Sequence, residues 1–217
     1  MAGGTRRSRR PAAAGAHRAP GRRVIVAVSL LAVLVVAVLV AWLTIGDWYR
    51  PWMPSTVGRL GYPLHYVADI RAAAQRNNLD PALVAAVIYV ESHFDQSVQS
   101  RSGAVGLMQV MPATAQEIAR KSGGTTFVTS DLDTPRINIL YGCFYLRRLL
   151  DQYKGSIVET LAAYNAGAGN VDQWVAAKGH SLRAADIPFG ETRTYVERVL
   201  KLRAVYRHIY GAQLGTL

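Results

Sequence analysis

Apolar side chains recur every three or four residues through most of the chain beyond residue 63, which is the spacing of amphipathic helices. No long run alternates apolar and polar residues, so any sheet is expected to be small. The predicted helices cover residues 64–76, 81–94, a shorter stretch after Pro112, 136–153, 157–165, 171–177 and 192–210. The pattern predicts a mainly α-helical domain over residues 64–211, which is large enough to form a hydrophobic core.

The second of these helices is the most informative, because an acid lies on its apolar face. Asp80 is a good N-cap and Pro81 suits the first helical position, so the helix is predicted to begin there. Val84, Val87 and Glu91 follow at i, i+3 and i+7 on one face. A carboxyl group there loses hydration, which raises its pKa and favours the protonated form that a general acid needs. The alternative for a single Glu near a helix end is a solvated or ion-paired side chain.

A separate apolar segment lies near the N-terminus. Residues 24–45 contain no charged side chain and are long enough, as a helix, to cross a hydrocarbon layer of about 30 Å. Seven arginines precede the segment, and the tryptophans and tyrosine at 42, 48, 49 and 52 cluster at its far end. This arrangement predicts a single transmembrane helix in the cell membrane, with the C-terminal domain on the extracytoplasmic side. A cleavable signal peptide is the alternative.

The charge distribution changes how the net charge of +11 is interpreted. Residues 1–23 hold seven arginines and no acid, and their composition predicts a disordered, basic, cytosolic tail. Residues 46–63 contain three prolines and are predicted to be a linker. From residue 46 onward, 18 Lys and Arg stand against 14 Asp and Glu. The basic excess therefore belongs mainly to the tail, and nucleic acid is not an expected partner.

Cysteine and histidine usage argues against disulfides and metal sites. Cys143 is the only cysteine, so no intrachain disulfide can form, and it is predicted to be a small buried apolar residue in a helix. The histidines show no paired ligand spacing, and no H-E-x-x-H motif occurs. Neither a metal ion nor a cofactor is expected.

Two polar segments follow predicted helices and are candidates for the walls of a cleft around Glu91. Residues 95–111 are rich in Ser, Gly and Gln, yet they include Val105, Leu107 and Met108, so this loop is predicted to fold inward. Residues 164–167, Tyr-Asn-Ala-Gly, end another helix with a polar aromatic side chain and an amide. The alternatives are an ordinary surface loop and a simple helix C-cap.

These segments resemble a known family. Residues 91–115, ESHFDQSVQSRSGAVGLMQVMPATA, resemble the catalytic signature of the soluble lytic transglycosylases, the SLT domain family. Three later segments resemble the remaining family motifs, in the family's order: Asn138-Ile139 with Gly142, Tyr145 and Leu146, then AYNAG at 163–167, then Glu191-Thr192 with Tyr195-Val196. The likeness covers about residues 65–210, with Ala168 where the family often has Pro.

The resemblance implies a mainly α, lysozyme-like catalytic domain, here preceded by the predicted transmembrane helix. It implies action on the β-1,4 bond between N-acetylmuramic acid and N-acetylglucosamine, so peptidoglycan glycan strands are the expected partner. Glu91 matches the family's catalytic acid/base. The positions that match the saccharide-binding cleft are Ser100, Met108, Gln109, Tyr164, Asn165 and Tyr195.

The resemblance also bears on the type of reaction. Most glycoside hydrolases use two carboxyl groups, about 5–9.5 Å apart. The four motifs offer no second acid with a clear claim, and the family's reaction is non-hydrolytic, giving 1,6-anhydromuramoyl ends. Two alternatives remain. One is a hydrolytic lysozyme in which Asp95 or Glu191 assists, and the other is a non-catalytic scaffold that binds the cell wall.

Overall fold

The computed structural model describes residues 30–37, 55–121, with side chains from residue 58, and 127–216. It divides the chain into two compact units, Met1–Trp48 and Tyr49–Leu217. In the first unit, residues 30–37 are helical and their apolar side chains are exposed. None of the helices within the described ranges is both long enough and apolar enough to span a bilayer. The predicted anchor over 24–45 extends beyond 30–37 on both sides, and the predicted tail 1–23 lies outside the described residues.

The second unit contains eight α-helices among its described residues. They are α1 Ser55–Gly61, α2 Val67–Arg76, α3 Pro81–Ser92, α4 Pro112–Lys121, α5 Pro135–Gln152, α6 Ile157–Ala166, α7 Ala168–Lys178 and α8 Gly190–Leu214. Short 3-10 helices cover Thr129–Asp133 and Ala184–Asp186. Extended pairing in the described residues is limited to two isolated bridges, which join Val105 to Gln99 and to Val110. The fold is mainly helical, as the apolar spacing predicted.

The predicted linker over 46–63 is a point of difference. Helix α1 lies within it, and Tyr62 belongs to the hydrophobic core. Tyr210 and Tyr206 of α8 donate hydrogen bonds to the carbonyls of Tyr62 and Pro63, at 2.8 and 2.9 Å. The packed part of the chain therefore begins before residue 64. Gly58 and Gly61, which suggested a linker, lie within a short helix that contacts α8.

Helix α3 is the centre of the unit and packs mainly against α8. It is apolar on nearly every side: residues 82–88 are all buried, with at most 2% of any of them exposed. The predicted N-cap is confirmed, because the Asp80 carboxylate accepts a hydrogen bond of 3.0 Å from the Ala82 N–H, with Pro81 at the first helical position. Arg203 and Arg207 of α8 each donate to the same carboxylate at 2.6 Å. The start of α3 is thereby fixed to α8.

The C-terminal end of α3 was predicted two residues too late. The helix ends at Ser92, and His93 and Phe94 both adopt left-handed backbone conformations, with φ of 52° and 66°. Phe94 then turns into the core beside Tyr206. Apolar burial of the Phe94 ring opposes the strain of two successive positive φ values. The chain reverses directly after the acid, so the loop that follows returns across the end of the helix.

Candidate active site

Glu91 lies in the last turn of α3, next to the point where the chain reverses. By surface area the residue is only partly buried, but its carboxyl group is sheltered by the surrounding protein. Burial raises the pKa of Glu91 to about 7, and a hydrogen bond from Tyr195 acts in the opposite direction. Near neutral pH this carboxyl group exists in both the protonated and the ionised form, which suits a group that gives up a proton and later takes one back.

Two tyrosines flank the acid. The Tyr195 hydroxyl, from α8, donates a hydrogen bond of 2.8 Å to Glu91 Oε1. Burial, followed by the charge of Glu91, raises the pKa of both Tyr195 and Tyr164 well above the ordinary value. Both hydroxyls therefore stay protonated and act as hydrogen-bond donors. The structure thus brings together the predicted acid and both predicted tyrosines.

The loop between α3 and α4 returns over the end of α3 and lies next to Glu91 and the two tyrosines. The Tyr164 hydroxyl donates to the Met108 carbonyl at 2.8 Å, and the Ser92 hydroxyl donates to the Leu107 carbonyl at 2.9 Å. The loop is therefore tied both to α6 and to the residue next to Glu91. The loop folds inward, as the sequence predicted, since Leu107 and Met108 are completely buried.

A buried amide that was not among the predicted site residues fixes this loop. Asn138 of α5 is 1% exposed, and its side chain accepts from the Met108 N–H at 2.8 Å. Its amide nitrogen donates to the carbonyls of Val105 and Leu132, at 2.8 and 2.9 Å. Gly106 leaves room for it, since a Cβ there would lie 2.4 Å from Asn138 Nδ2. Asn138 belongs to a segment that resembles a family motif, but the sequence does not indicate that its side chain hydrogen-bonds to a loop distant in the chain.

Gln109 adopts a left-handed backbone conformation, with φ of 46°. Its amide nitrogen donates to the carbonyls of Val98 and Gly106, both at 2.9 Å. The donors of the Gln109 amide thus hold the loop together, while its Oε1 oxygen accepts no hydrogen bond from the described residues. This oxygen is the part of Gln109 that is left for a ligand.

Ser100 and Asn165 are engaged in local hydrogen bonds. The Ser100 hydroxyl accepts from the Ala104 N–H at 2.9 Å and contacts the Ser102 hydroxyl at 2.9 Å, which closes a turn. Asn165 is exposed at the end of α6, and its Oδ1 accepts from the Thr192 hydroxyl of α8 at 2.8 Å. No hydrogen bond joins either side chain to Glu91 in the described part of the chain. The Asn165 amide nitrogen donates no hydrogen bond within the described residues.

The two methionines of the GLMQVM segment lie in opposite environments. Met108 is completely buried, and its sulfur would lie 2.5 Å from a Cβ added at Gly142. Its side chain therefore packs against α5, and only its backbone takes part in the site. Met111, three residues later, is 40% exposed. Met108 was predicted to line the saccharide cleft; its side chain is packed against α5, and the exposed methionine of the segment is Met111.

No second carboxyl group hydrogen-bonds to Glu91 within the described ranges. Asp95, past the helix end, accepts from the Ser97 hydroxyl and N–H at 2.6 and 2.8 Å, and the Ser97 hydroxyl is the main cause of the lowered pKa of Asp95. Glu191 is exposed in the first turn of α8. Neither Asp95 nor Glu191 takes part in the Glu91–Tyr195 hydrogen bond.

The chain has clear relatives. The transglycosylase SLT domain model matches residues 69–187, and the soluble lytic transglycosylase helical domain model matches residues 186–214. The chain is 33% identical over 155 residues to the soluble lytic murein transglycosylase of Salmonella typhimurium, covering 69% of this chain and 24% of that protein. It is 32% identical over 168 residues to the membrane-bound lytic murein transglycosylase C of Actinobacillus pleuropneumoniae, covering 66% of this chain and 46% of that protein.

A solved structure agrees with these matches. The lytic transglycosylase Slt of Pseudomonas aeruginosa, determined as an inactive glutamate-to-glutamine mutant, superimposes with a TM-score of 0.64 at 35% identity, covering 73% of this chain and 26% of that one. The fold is the mainly helical, lysozyme-like SLT fold, and the chain belongs to the transglycosylase SLT domain family. It spans about a quarter of the length of the soluble relative and under half of the membrane-bound one.

Proposed function

We propose that this protein is a peptidoglycan lytic transglycosylase that cleaves the N-acetylmuramic acid to N-acetylglucosamine β-1,4 bond without water. The observation that carries the proposal is the environment of Glu91. Its carboxyl group has a pKa of about 7 and accepts a hydrogen bond from Tyr195, and none of the described carboxyl groups hydrogen-bonds to it. Membership of the SLT domain family supports the same activity. One acid/base serves both proton transfers.

In the first step, protonated Glu91 donates its proton to the glycosidic oxygen as the bond from that oxygen to the muramoyl C1 breaks. The N-acetyl group of the same sugar assists at C1, which stabilises the developing positive charge. In the second step, ionised Glu91 accepts the proton of the muramoyl 6-hydroxyl while the oxygen of that hydroxyl bonds to C1. The products are a 1,6-anhydromuramoyl end and a free 4-hydroxyl, and Glu91 is protonated again.

The cleft is proposed to hold the saccharide through the groups that remain available around Glu91. Tyr164 and Tyr195 lie beside the acid as aromatic side chains, and Gln109 Oε1 and the Asn165 amide nitrogen offer polar contacts. The Ser100 hydroxyl, at the turn of the loop, is proposed as a further polar contact to the saccharide. The exposed Met111, rather than the side chain of Met108, is proposed to supply the apolar contact. Met108 contributes its carbonyl, which positions Tyr164.

The catalytic domain is proposed to act on the extracytoplasmic side of the cell membrane, held there by a single-pass helix over residues 24–45. The support is the run of 22 uncharged, mostly aliphatic residues after an arginine-rich tail. A relative is named a membrane-bound lytic murein transglycosylase, which is consistent with such an arrangement. Fractionation of host cells, followed by protease treatment of spheroplasts, tests this: the C-terminal domain should pellet with membranes and be digested from outside.

The reaction is tested by digesting purified sacculi with the full chain and identifying the product ends by mass spectrometry. Anhydromuramoyl ends are expected, and Glu91→Gln should abolish them while leaving the fold and saccharide affinity intact. Reducing ends would mean that the protein is a hydrolytic lysozyme. Binding of sacculi without any cleavage by the unmodified chain would mean that it is a wall-binding scaffold.

A further inference from the structure

One end of the second unit is basic, and the site described above does not use it. From residue 198 onward the chain holds four Lys and Arg and no Asp or Glu, and residues 55–66 hold Arg59 and no acid. Between these stretches, residues 67–197 hold 12 Lys and Arg and 13 Asp and Glu. The positive charge of the unit is therefore carried mainly by α1 and the later turns of α8.

Arginines from two other helices lie at the C-terminal end of α8. Arg59 of α1 lies over the Tyr210 ring of α8, 5.5 Å from its centroid. Arg71 of α2 reaches the residue that follows α8, because its Nη2 lies 4.0 Å from the position of a Cβ on Gly215. Both arginines are exposed, and neither forms an ion pair with a described residue. The surface made by Arg59, Leu60 and Arg71 is called the basic end below.

The basic end also carries an exposed apolar side chain. Leu60, directly after Arg59, is 88% exposed, the highest fraction among the large apolar side chains of the described residues. Two other arginines of α8, Arg203 and Arg207, already pair with Asp80, so the charge left for an external anion is that of the basic end. An apolar side chain beside unpaired arginines is typical of surfaces that lie on anionic membranes, where the apolar group enters the interface and the cations attract headgroups.

The length of the connecting chain puts a membrane within reach of the basic end. The proposed anchor ends at residue 45 and α1 begins at Ser55, and the ten peptide units between them span at most about 36 Å. Tyr195, which donates to Glu91, precedes Ile209 by 14 residues, or about 21 Å of helix. A membrane at the basic end would therefore contact the end of α8 opposite to Glu91.

We propose that the basic end rests on the extracytoplasmic surface of the cell membrane, with Leu60 entering the headgroup region and Arg59 and Arg71 binding the phosphates of anionic phospholipids. The inference rests on the proposed anchor, because the anchor brings the membrane within reach. Charge complementarity selects the lipid, since zwitterionic headgroups carry no net charge to attract the arginines. Docking holds the Glu91 cleft at one height above the membrane, whereas an undocked unit would move over the whole reach of the connecting chain.

The test uses the full chain in lipid nanodiscs, with one chain per disc and a nitroxide spin label on Leu60→Cys. Cys143 is completely buried, so the introduced thiol is the one that reacts. In discs of phosphatidylglycerol and phosphatidylcholine, the label should be accessible to oxygen and shielded from a water-soluble nickel chelate. The same label on Glu191→Cys, exposed at the other end of α8, should be accessible to the chelate. Discs of phosphatidylcholine alone should lower the shielded fraction at position 60.

Two pairs of substitutions separate the arginines of the basic end from charge in general. Arg59→Gln with Arg71→Gln should lower the ratio of shielded to exposed label about 25-fold, because each arginine at an anionic surface contributes about fivefold. Arg120→Gln with Arg136→Gln removes two exposed arginines of α4 and α5 and should change this ratio by less than about twofold. Both pairs alter exposed side chains, so both variants should fold normally.

Equal exposure of the labels at positions 60 and 191, in discs that retain the chain, would overturn docking and leave the anchor intact. A chain that does not stay in the discs would refute the anchor; the basic end should then still bind phosphatidylglycerol vesicles, and a lack of binding would overturn docking as well. Dipolar broadening between position-60 labels, in vesicles that hold several chains, would mean that a second copy covers the basic end and would also overturn the proposal. None of these measurements depends on the reaction or its product ends.

Discussion

The Tyr195 hydroxyl donates a hydrogen bond of 2.8 Å to Glu91 Oε1, although the two residues lie 104 positions apart in the sequence. The bond joins the end of α3 to the second turn of α8, the two helices that form the centre of the unit. It favours the ionised carboxylate, while burial favours the protonated acid. Because burial is the larger effect, the pKa of Glu91 is raised to about 7. The same contact orients the carboxyl group and limits how far its pKa rises.

Replacing Tyr195 by Phe should therefore raise the pKa of Glu91 further, because the group that lowers it is removed. Activity depends on protonated Glu91, so the unmodified chain should lose activity as the pH rises through about 7. In Tyr195→Phe this alkaline fall should move to higher pH, and the maximum rate should drop about tenfold through poorer orientation of the acid. The measurement is the pH dependence of anhydro-product formation.

The control for this shift is Tyr210→Phe, also on α8, whose hydroxyl donates to the Tyr62 carbonyl instead of the acid. It should lower stability by about 1 kcal/mol and leave the pH dependence in place. If the alkaline fall of Tyr195→Phe stayed where it is in the unmodified chain, Tyr195 would not influence the ionisation of Glu91.

Glu91→Gln should stabilise the fold at neutral and alkaline pH. The unfolded carboxyl group ionises near 4.5 and the folded one near 7. Between these values the unfolded state binds fewer protons, so the unmodified chain loses stability as the pH rises. Glutamine carries no charge and can still accept from Tyr195. The variant should match the unmodified chain at about pH 4 and exceed it by about 1–3 kcal/mol above pH 7, measured by urea unfolding. Equal stability at both pH values would mean that the acid is not sheltered.

The sequence predicted the parts of the site that depend on local pattern. Asp80 and Pro81 located the start of α3, and helical spacing placed Glu91 on its buried face, as the structure confirms. Contacts between distant segments were not predictable in the same way. The amide of Asn138 bonds to a loop some 30 residues away, and nothing in the local sequence indicates those partners. The reversal at His93 was likewise missed, because tertiary packing of the next residue determines it.

The exact first residues of helices were also not predictable from the local pattern. The start of α7 lies at Ala168, directly after Gly167 with φ of 88°, and not at 171 as the apolar spacing suggested. Glycine permits the positive φ that lets one helix end and the next begin without a loop. Periodicity locates the buried face of a helix but not its first residue, so the start of α7 at Ala168-Gly169-Asn170 was not recognised.

The two methionines of the loop should separate stability from substrate affinity. Met108→Ala removes a completely buried side chain, so the free energy of unfolding should fall by about 2–5 kcal/mol. Met111→Ala changes an exposed side chain and should leave the free energy of unfolding within about 0.5 kcal/mol. KM for glycan strands should rise in the Met111 variant. A raised KM in a folded Met108→Leu variant, with Met111→Ala unaffected, would instead assign the saccharide contact to Met108.

Asp80→Ala should destabilise the fold most at neutral pH. Burial acts to raise the pKa of Asp80, but the hydrogen bonds from Arg203 and Ala82 and the charges of Arg203 and Arg207 outweigh it and hold the pKa below 3.8. A lowered pKa contributes stability above the unfolded value of 3.8, and that contribution is lost as the pH falls. The variant should cost about 2–3 kcal/mol at neutral pH and progressively less below about pH 4. A cost that is constant with pH would limit Asp80 to its role as a helix cap.

Asn138→Ala should impair catalysis through the loop that it holds. The change leaves the Met108 N–H and the carbonyls of Val105 and Leu132 without their buried partner, so the free energy of unfolding should fall by about 2–4 kcal/mol. Of the two backbone hydrogen bonds that Met108 makes with side chains of the described residues, only the one from Tyr164 to its carbonyl would then remain. We expect hydrogen exchange at residues 105–110 to increase and kcat to fall well beyond what the loss of folded protein explains.

The matched comparison for that prediction is Leu149→Ala, which creates a cavity on α5 about three turns beyond Asn138 and has a similar expected cost. Under conditions where both variants are fully folded, Leu149→Ala should keep its kcat and the exchange rates of 105–110, whereas Asn138→Ala should not. Equal kcat in the two variants would show that Asn138 contributes only to stability. A selective fall in kcat, together with faster exchange confined to the loop, would show that the amide positions the Met108–Gln109 peptide beside Glu91.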